Sequence, residues 1–331
     1  MHKVVSLGGG TGTFPVVTAL KTLGVNISAV ISVSDSGGST GRIRDEFGFQ
    51  PVGDLRQSLA ALANKERQEW IQKILLYRFS KGSGLKGHNL GNLILTALQD
   101  MTDNTTESLE IAEKIFHLDG AVIPVTASNV NLKIHYTDGT TVIGEHILDS
   151  QDENPKKIAR ISLTPECTLN PPAEKAFSNA DLIIIGPGDH YASLLSTLVV
   201  SGTKKAFKES RAKIMYISNL MTRRTQTHGM TISDHLNQIE DAIGKKVDYI
   251  LINNSIIPEK VLDIYAKAQE FPVKDDLNGD KRIIRAELLL DKIVFKNEND
   301  NVYRSYLRHD AKKLENVLKK VLKQNPDDAN S

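Results

Sequence analysis

Asp35 closes an apolar stretch and is followed by Ser36, Gly37, Gly38, Ser39, Thr40 and Gly41, then by Arg42 and Arg44. Small residues let backbone N–H groups come close to an oxyanion, hydroxyls add donors, and guanidiniums add charge-assisted bonds. That spacing suits a phosphate or diphosphate. A second break lies upstream, where "VVSLGGGTGTFPVVTAL" passes through Gly8, Gly9, Gly10, Thr11 and Gly12 into a helical pattern. A helix starting there would aim unpaired N–H groups and the positive end of its dipole at an anion. Asp35 adds a carboxylate that could pair a ribose hydroxyl, hold a hydrated Mg²⁺ or act as a base; the plain alternative is pairing with Arg42 or Arg44. Neither loop keeps the G-x-G-x-x-G spacing, and no G-x-x-x-x-G-K-[ST] occurs, which argues against NAD enzymes and P-loop NTPases.

Later strand ends carry the same kind of residue. "LIIIGPGDHYASLL" breaks at Gly186, Pro187 and Gly188, "IMYISNLMTRRTQT" leaves through Asn219 toward Arg223 and Arg224, and "YILINNSIIP" leaves through Asn253 and Asn254. Open α/β sheets bind ligands outside the carboxyl ends of their strands, so the exits after residues 7, 33, 185, 218 and 252 describe one cleft. An asparagine side chain offers one donor and one acceptor at the cleft, though Asn219, Asn253 and Asn254 serve turn geometry equally well. In "GLKGHNLGNLILTAL", His88, Asn89 and Asn92 read either as a loop histidine with helix capping or as contacts to a phosphate or sugar hydroxyl. Asp54 and Arg56 of "PVGDLRQSLAAL" read as an N-cap and a first-turn residue, with a site role equally open.

The elements that must position these loops follow from periodicity. Strands are expected at Lys3–Leu7, Ile27–Val33, Leu182–Ile185, Lys213–Ser218 and Tyr249–Ile252. Helices are expected at Phe14–Thr22, Asp54–Ala63, Glu66–Phe79, Asn89–Gln99, Thr106–His117, Tyr191–Val200, Ile232–Ile243 and Glu259–Ala268, with a last one from Asp310. The alternation predicts an α/β protein, a Rossmann-like three-layer α/β/α fold with a mainly parallel sheet. "AVIPVTASNVNLKIHYTDGTTVIGEHILD" alternates apolar and polar residues around Asp138-Gly139, and reads as a small antiparallel insertion at about 120–150. One domain over 1–322 and a disordered tail at 323–331 are expected. Trp70, Met230 and the tyrosines read as packing residues.

Composition narrows the class. The 331 residues carry 41 basic and 40 acidic side chains, a formal net charge of +1, so no global field recruits nucleic acid or anionic lipid. Cys167 is the single cysteine, which excludes an intrachain disulfide and fits a reducing cytosol. No stretch approaches a membrane span, and a cytoplasmic location is expected.

Taken in order, "GGGTG", "SDSGGSTGRIR", "GDLRQSL", "GHNLGNLIL", "GPGDHYASL" and "SNLMT" resemble the YvcK branch of the CofD-like family over essentially the whole chain. The resemblance implies a cytoplasmic gluconeogenesis factor involved in cell shape and envelope synthesis on gluconeogenic carbon sources. It also implies binding of a UDP-sugar such as UDP-N-acetylglucosamine or UDP-glucose, with envelope-synthesis proteins as candidate partners and a homodimer left open. The CofD branch implies instead a transferase that moves a phospholactyl group from guanosine diphospho-lactate onto a deazaflavin alcohol with Mg²⁺. The expected ligand-binding set is Gly9, Gly10, Thr11, Gly12, Asp35, Ser36, Gly37, Gly38, Ser39, Thr40, Arg42, His88, Asn89, Asn92, Gly186, Gly188, Asn219 and Asn253. Asp35 is also the candidate catalytic residue and Mg²⁺ ligand. Two departures from the family pattern stand out: "RRTQTHG" after "SNLMT", read as a more basic rim, and Asp189-His190-Tyr191 after "GPG". Low aromatic content leaves no evident slot for a flat deazaflavin.

Overall fold

Apolar runs bounded by glycine and asparagine fold as strands, and the amphipathic stretches between them as helices. The computed structural model describes residues 1–63, 65–149, 156–292 and 305–323. The strands are β1 (Lys3–Gly8), β2 (Asn26–Ile31), β3 (Ala121–Pro124), β4 (Asn131–Tyr136), β5 (Thr141–Ile143), β6 (Ile158–Thr164), β7 (Leu182–Ile185), β8 (Lys213–Ile217), β9 (Tyr249–Asn253) and β10 (Ile283–Ala286). The helices of the first half are α1 (Gly10–Thr22), α2 (Gly38–Phe47), α3 (Gly53–Leu62), α4 (Lys65–Leu76), α5 (Leu90–Thr102) and α6 (Thr105–Phe116).

Seven strands pair in the order β10-β9-β8-β7-β1-β2-β3, every pair parallel. Val4 stands opposite Ile27 on one side and Leu182 on the other, so β1, β2 and β7 end almost level. Strand order reverses between β1 and β7, and the loops leaving that seam diverge from a common crevice. All four residues of β7 are fully buried, as a parallel strand covered on both faces requires. The covering helices form two packed groups. One is α1 with α3 and the helix Ala311–Lys323; the other is Pro171–Asn179 with Thr203–Glu209 and Ile232–Ile243. The expected three-layer α/β class is the observed one.

Several local expectations change. Ala121–Pro124, read as the start of the antiparallel insertion, instead joins the parallel sheet beside β2, because alternation by itself does not set strand direction. The antiparallel sheet is β5-β4-β6, and its third strand comes from beyond Asp149. The glycine-rich run read as a loop winds into α2, with Ile43 and Arg44 buried on its inner face. After β7 the chain enters a π-helical turn, His190–Leu195, where the Leu194 N–H reaches the Asp189 carbonyl at 3.0 Å. Trp70 is not a packing residue: it is 72% exposed on α4, with the Lys73 ammonium 4.7 Å from its ring centroid. The expected tail lies outside the described residues beyond Lys323.

Two consequences can be measured. Gly12 sits where α1 crosses the exit of β7, and a Cβ there would stand 2.2 Å from the Pro187 carbonyl oxygen and 2.8 Å from the Gly188 Cα. Both neighbours are backbone, so Gly12→Ala should lower stability by about 1–3 kcal/mol through overpacking. An unchanged urea midpoint would contradict this crossing. On α6, the Glu113 carboxylate accepts the Val122 N–H at 2.6 Å, and burial pushes its pKa up to about 7. A raised folded value means that this group's contribution is fully present below its unfolded value and is lost as pH rises through 7. Glu113→Gln should therefore raise the melting temperature at pH 8 more than at pH 5; an equal shift at both would assign the effect to packing.

Candidate functional site

The exits of β1, β2, β7 and β8 open on one cleft of about 230 Å³. Gly9, Gly10 and Gly12 of the first loop line it, as do Asp35, Thr40, Asn92, Gly188 and Asn219. Two helices start at its edge with glycine N-caps, Gly9 for α1 and Gly37 for α2. A glycine cap brings no side-chain acceptor, and neither first turn holds an acidic residue. The α1 N-terminus, whose Gly9, Gly10 and Gly12 line the crevice, therefore offers it backbone N–H groups and a positive dipole end, whereas α2 reaches the lining only through Thr40, and the expected Gly37 and Gly38 do not line it. Gly10 has φ +56°, a conformation that favours glycine.

Opposite α1 lies Asp54. It is not the N-cap of α3, which is Val52, but a first-turn residue whose carboxylate crosses to the glycine loop. A Cβ built on Gly9 would stand 2.3 Å from one carboxylate oxygen, and one on Gly10 2.8 Å from the other. The glycines thus make room for a carboxylate as well as for a ligand. Asp35 accepts the Gly37 N–H at 2.9 Å, and its second oxygen lies 2.8 Å from the position of a Cβ on Gly53, next to Asp54. Two carboxylates consequently flank the mouth of the glycine loop. Among the described residues no group of three acidic, histidine or cysteine side chains could hold a metal. Mg²⁺ typically takes one or two carboxylates and completes its shell with water and phosphate oxygens, which this pair fits.

Several expected contacts are committed elsewhere. Arg44 donates to the Val130 carbonyl at 2.8 Å, and burial pulls its guanidinium below the usual value. It braces α2 and does not reach for a diphosphate. Arg56, 4% exposed, donates to Asn92 at 2.7 Å and to the Leu75 carbonyl at 3.1 Å. Asn89 caps α5 by accepting the Asn92 N–H, and neither Asn89 nor His88 lines the cleft. Ser36 pairs with the His146 ring at 3.1 Å. Gly186, with φ +82°, turns the chain out of β7 beneath the cleft lining. Asn253 accepts the Leu288 and Ser255 N–H groups at 2.9 and 3.3 Å, so the turn-geometry alternative describes it, and Asn254 is exposed. The side chains of Thr11, Ser39 and Arg42 lie outside the described parts, and Gly38 opens α2.

Beyond Gly188 the cleft is lined by residues that spacing did not single out: Met221, Tyr265, Glu270, Leu307, Arg308 and His309. Residues 307–309 come from a segment that pairs back on Leu289 through His309, a long-range contact with no local sequence signal. Asn219 donates to the Gly188 carbonyl at 2.8 Å, and its own amide oxygen is buried without a partner. Arg223 stands 3.7 Å from Asp189 and 3.5 Å from Glu270. Burial pushes His309 down to about 4, so its imidazole is neutral near pH 7. Over the whole lining four arginines meet five carboxylates, so a dianionic ligand enters a cleft with one negative charge already in excess.

No helix among the described residues is long and apolar enough to cross a membrane. A crystal structure of a UPF0052-family protein from Bacillus halodurans superposes with a TM-score of 0.85 at 35% identity, covering 96% of this chain and 98% of that one. The Halalkalibacterium halodurans protein named gluconeogenesis factor is 38% identical over 318 residues, 95% of each chain. The Bacillus subtilis protein of the same name is 35% identical over 326 residues, 97% of this chain and 98% of that one. Residues 4–294 match the family model described as 2-phospho-L-lactate transferase CofD. The chain belongs to the CofD family, in the branch whose members are named gluconeogenesis factors.

Proposed function

We propose that the protein is a cytoplasmic regulatory factor that binds a UDP-sugar, UDP-N-acetylglucosamine or UDP-glucose, and is needed for cell shape and envelope synthesis during gluconeogenic growth. The observation that carries the ligand class is the glycine-capped start of α1 opening on the crevice at the switch point, with Thr40 of α2 beside it. The relatives' name supports the physiological role. A diphosphate would lie at the start of α1, and Asp35 and Asp54 would be the residues to hold a divalent cation that offsets the excess negative charge. The cation supplies charge neutralisation; the chain's own part is to hold the phosphates by backbone N–H groups and the two carboxylates at fixed separation.

A second reading, phospholactyl transfer from guanosine diphospho-lactate to a deazaflavin alcohol, is supported by the family match and by the same pair of carboxylates. Tyr265 is the sole phenylalanine, tyrosine or tryptophan among the described residues that line the cleft, which gives a flat tricyclic acceptor little to stack on. The regulatory reading therefore ranks first.

A thermal-shift panel with Mg²⁺ present should show stabilisation by the UDP-sugars and none by NAD; a ligand at about 100 times its dissociation constant adds about 2.7 kcal/mol. Equal shifts from UDP, GDP and ADP compounds would leave only phosphate recognition. Product formation from guanosine diphospho-lactate and the deazaflavin alcohol would reverse the ranking. Chelation should weaken UDP-sugar binding by the wild type at least tenfold and weaken it much less in Asp54→Asn, where one carboxylate charge is already gone. An equal chelator effect on both would remove Asp54 from the cation's surroundings.

A further inference from the structure

The π-helical turn His190–Leu195 brings Ala192 and Ser193 into the cleft lining beside Gly188. The Asp189 carbonyl accepts both the Ser193 and the Leu194 N–H, at 2.9 and 3.0 Å, so the turn carries one residue more than an α-turn. It is anchored from behind. His190 and Tyr191, 1% and 2% exposed, meet Gln238 on the helix Ile232–Ile243. The His190 Nε2 donates to the Gln238 amide oxygen at 3.0 Å, and the amide N–H donates to the Tyr191 hydroxyl at 3.2 Å. The main chain of Ser193 is fully engaged, since its carbonyl also accepts the Thr197 hydroxyl at 2.7 Å. Its own hydroxyl makes no hydrogen bond to any described residue, although Ser193 is only 8% exposed.

A buried hydroxyl without a partner costs stability, and an alanine in its place would avoid that cost. The hydroxyl lies against the glycine loop. A Cβ built on Gly9 would stand 3.1 Å from the Ser193 Oγ and 2.3 Å from an Asp54 carboxylate oxygen. The missing Cβ leaves a niche at the N-cap of α1, bordered by one hydroxyl, one carboxylate and the first N–H groups of a 13-residue helix. A charged oxygen seated there accepts from the hydroxyl and the main chain and meets the positive end of the helix dipole. We infer that Ser193 is a ligand-binding residue, donating its hydroxyl to a phosphate oxygen at the start of α1. The inference deepens the UDP-sugar reading by naming a side chain that grips the diphosphate, and it rests on that reading only for the identity of the nucleotide.

Calorimetry of the full chain with Mg²⁺ present, using UDP, UDP-N-acetylglucosamine, UDP-glucose and inorganic pyrophosphate, tests it. The variants are Ser193→Ala and Ser193→Cys, the second close in size to serine but a weak donor. Both should weaken all four ligands by a similar factor of about ten or more, as expected for one lost hydrogen bond to a charged group. The free Ser193→Ala protein should melt no lower than the wild type, because its hydroxyl has no partner to lose. Unchanged affinities, or a loss that spares pyrophosphate, would overturn the phosphate contact and leave the UDP-sugar reading standing. A lower melting temperature of free Ser193→Ala, or its failure to fold, would also overturn it by assigning the serine to packing. A wild type that binds pyrophosphate but no UDP compound would remove the nucleotide reading, while the pyrophosphate affinities of the variants still support or overturn the contact. A wild type that binds none of the four would remove both.

Discussion

Everything at the cleft depends on how closely α1 approaches the exit of β7. The Gly12 backbone lies against the Pro187 carbonyl with no room for a Cβ, and that contact fixes the start of α1 relative to the loop after β7. Gly188, one residue on, gives its carbonyl to Asn219, which ties the exit of β8 to the same place. Three strand exits are thereby tied together, one by the Gly12–Pro187 main-chain approach and one by the Asn219 side chain. A Cβ on Gly12 would push the start of α1 away from the β7 exit, so that glycine serves the geometry of the seam.

The arginines that line the cleft are Arg56, Arg78, Arg223 and Arg308, and not Arg44 of the glycine-rich run. A buried guanidinium needs acceptors, and Arg44 and Arg56 find theirs in main-chain carbonyls and Asn92. These two act as struts between α2, α3, α5 and the loops beneath. Arg78, Arg223 and Arg308 are the other guanidiniums on the lining, beside the backbone of the glycine loop. With five carboxylates against four arginines, the lining carries one negative charge in excess.

Much of the fold was legible because local and tertiary preferences agree. The helix Ile232–Ile243 matches its expected limits residue for residue, since Thr231 and Asp234 form a reciprocal capping box and Gly244 ends it in a left-handed turn. The strand exits were legible because small residues at strand ends are rare without a reason. Direction was not: β3 and β4 share an alternating pattern, yet one pairs parallel and the other antiparallel. Glycine content argued against α2, but its buried Ile43 and Arg44 outweigh propensity. In the site, Gly9, Gly10, Gly12 and Asp35 could be named from spacing. Tyr265, Glu270 and His309 could not, because what brings them to the cleft is a chain return over hundreds of residues.

The two departures from the family's sequence pattern look unrelated along the chain, one after β7 and one after β8. In the fold they are partners. Arg223, which replaces the pattern after "SNLMT", faces Asp189, which replaces the pattern after "GPG", and Glu270 holds the guanidinium from the other side. A lone arginine at that rim would have added one positive charge to the phosphate end's neighbour; a lone aspartate would have added an uncompensated carboxylate beside buried Glu270. Together they add no net charge to this end of the cleft. The pair is local to the β8 end of the cleft and leaves the glycine-capped start of α1 untouched, so the two ends of the lining are built independently.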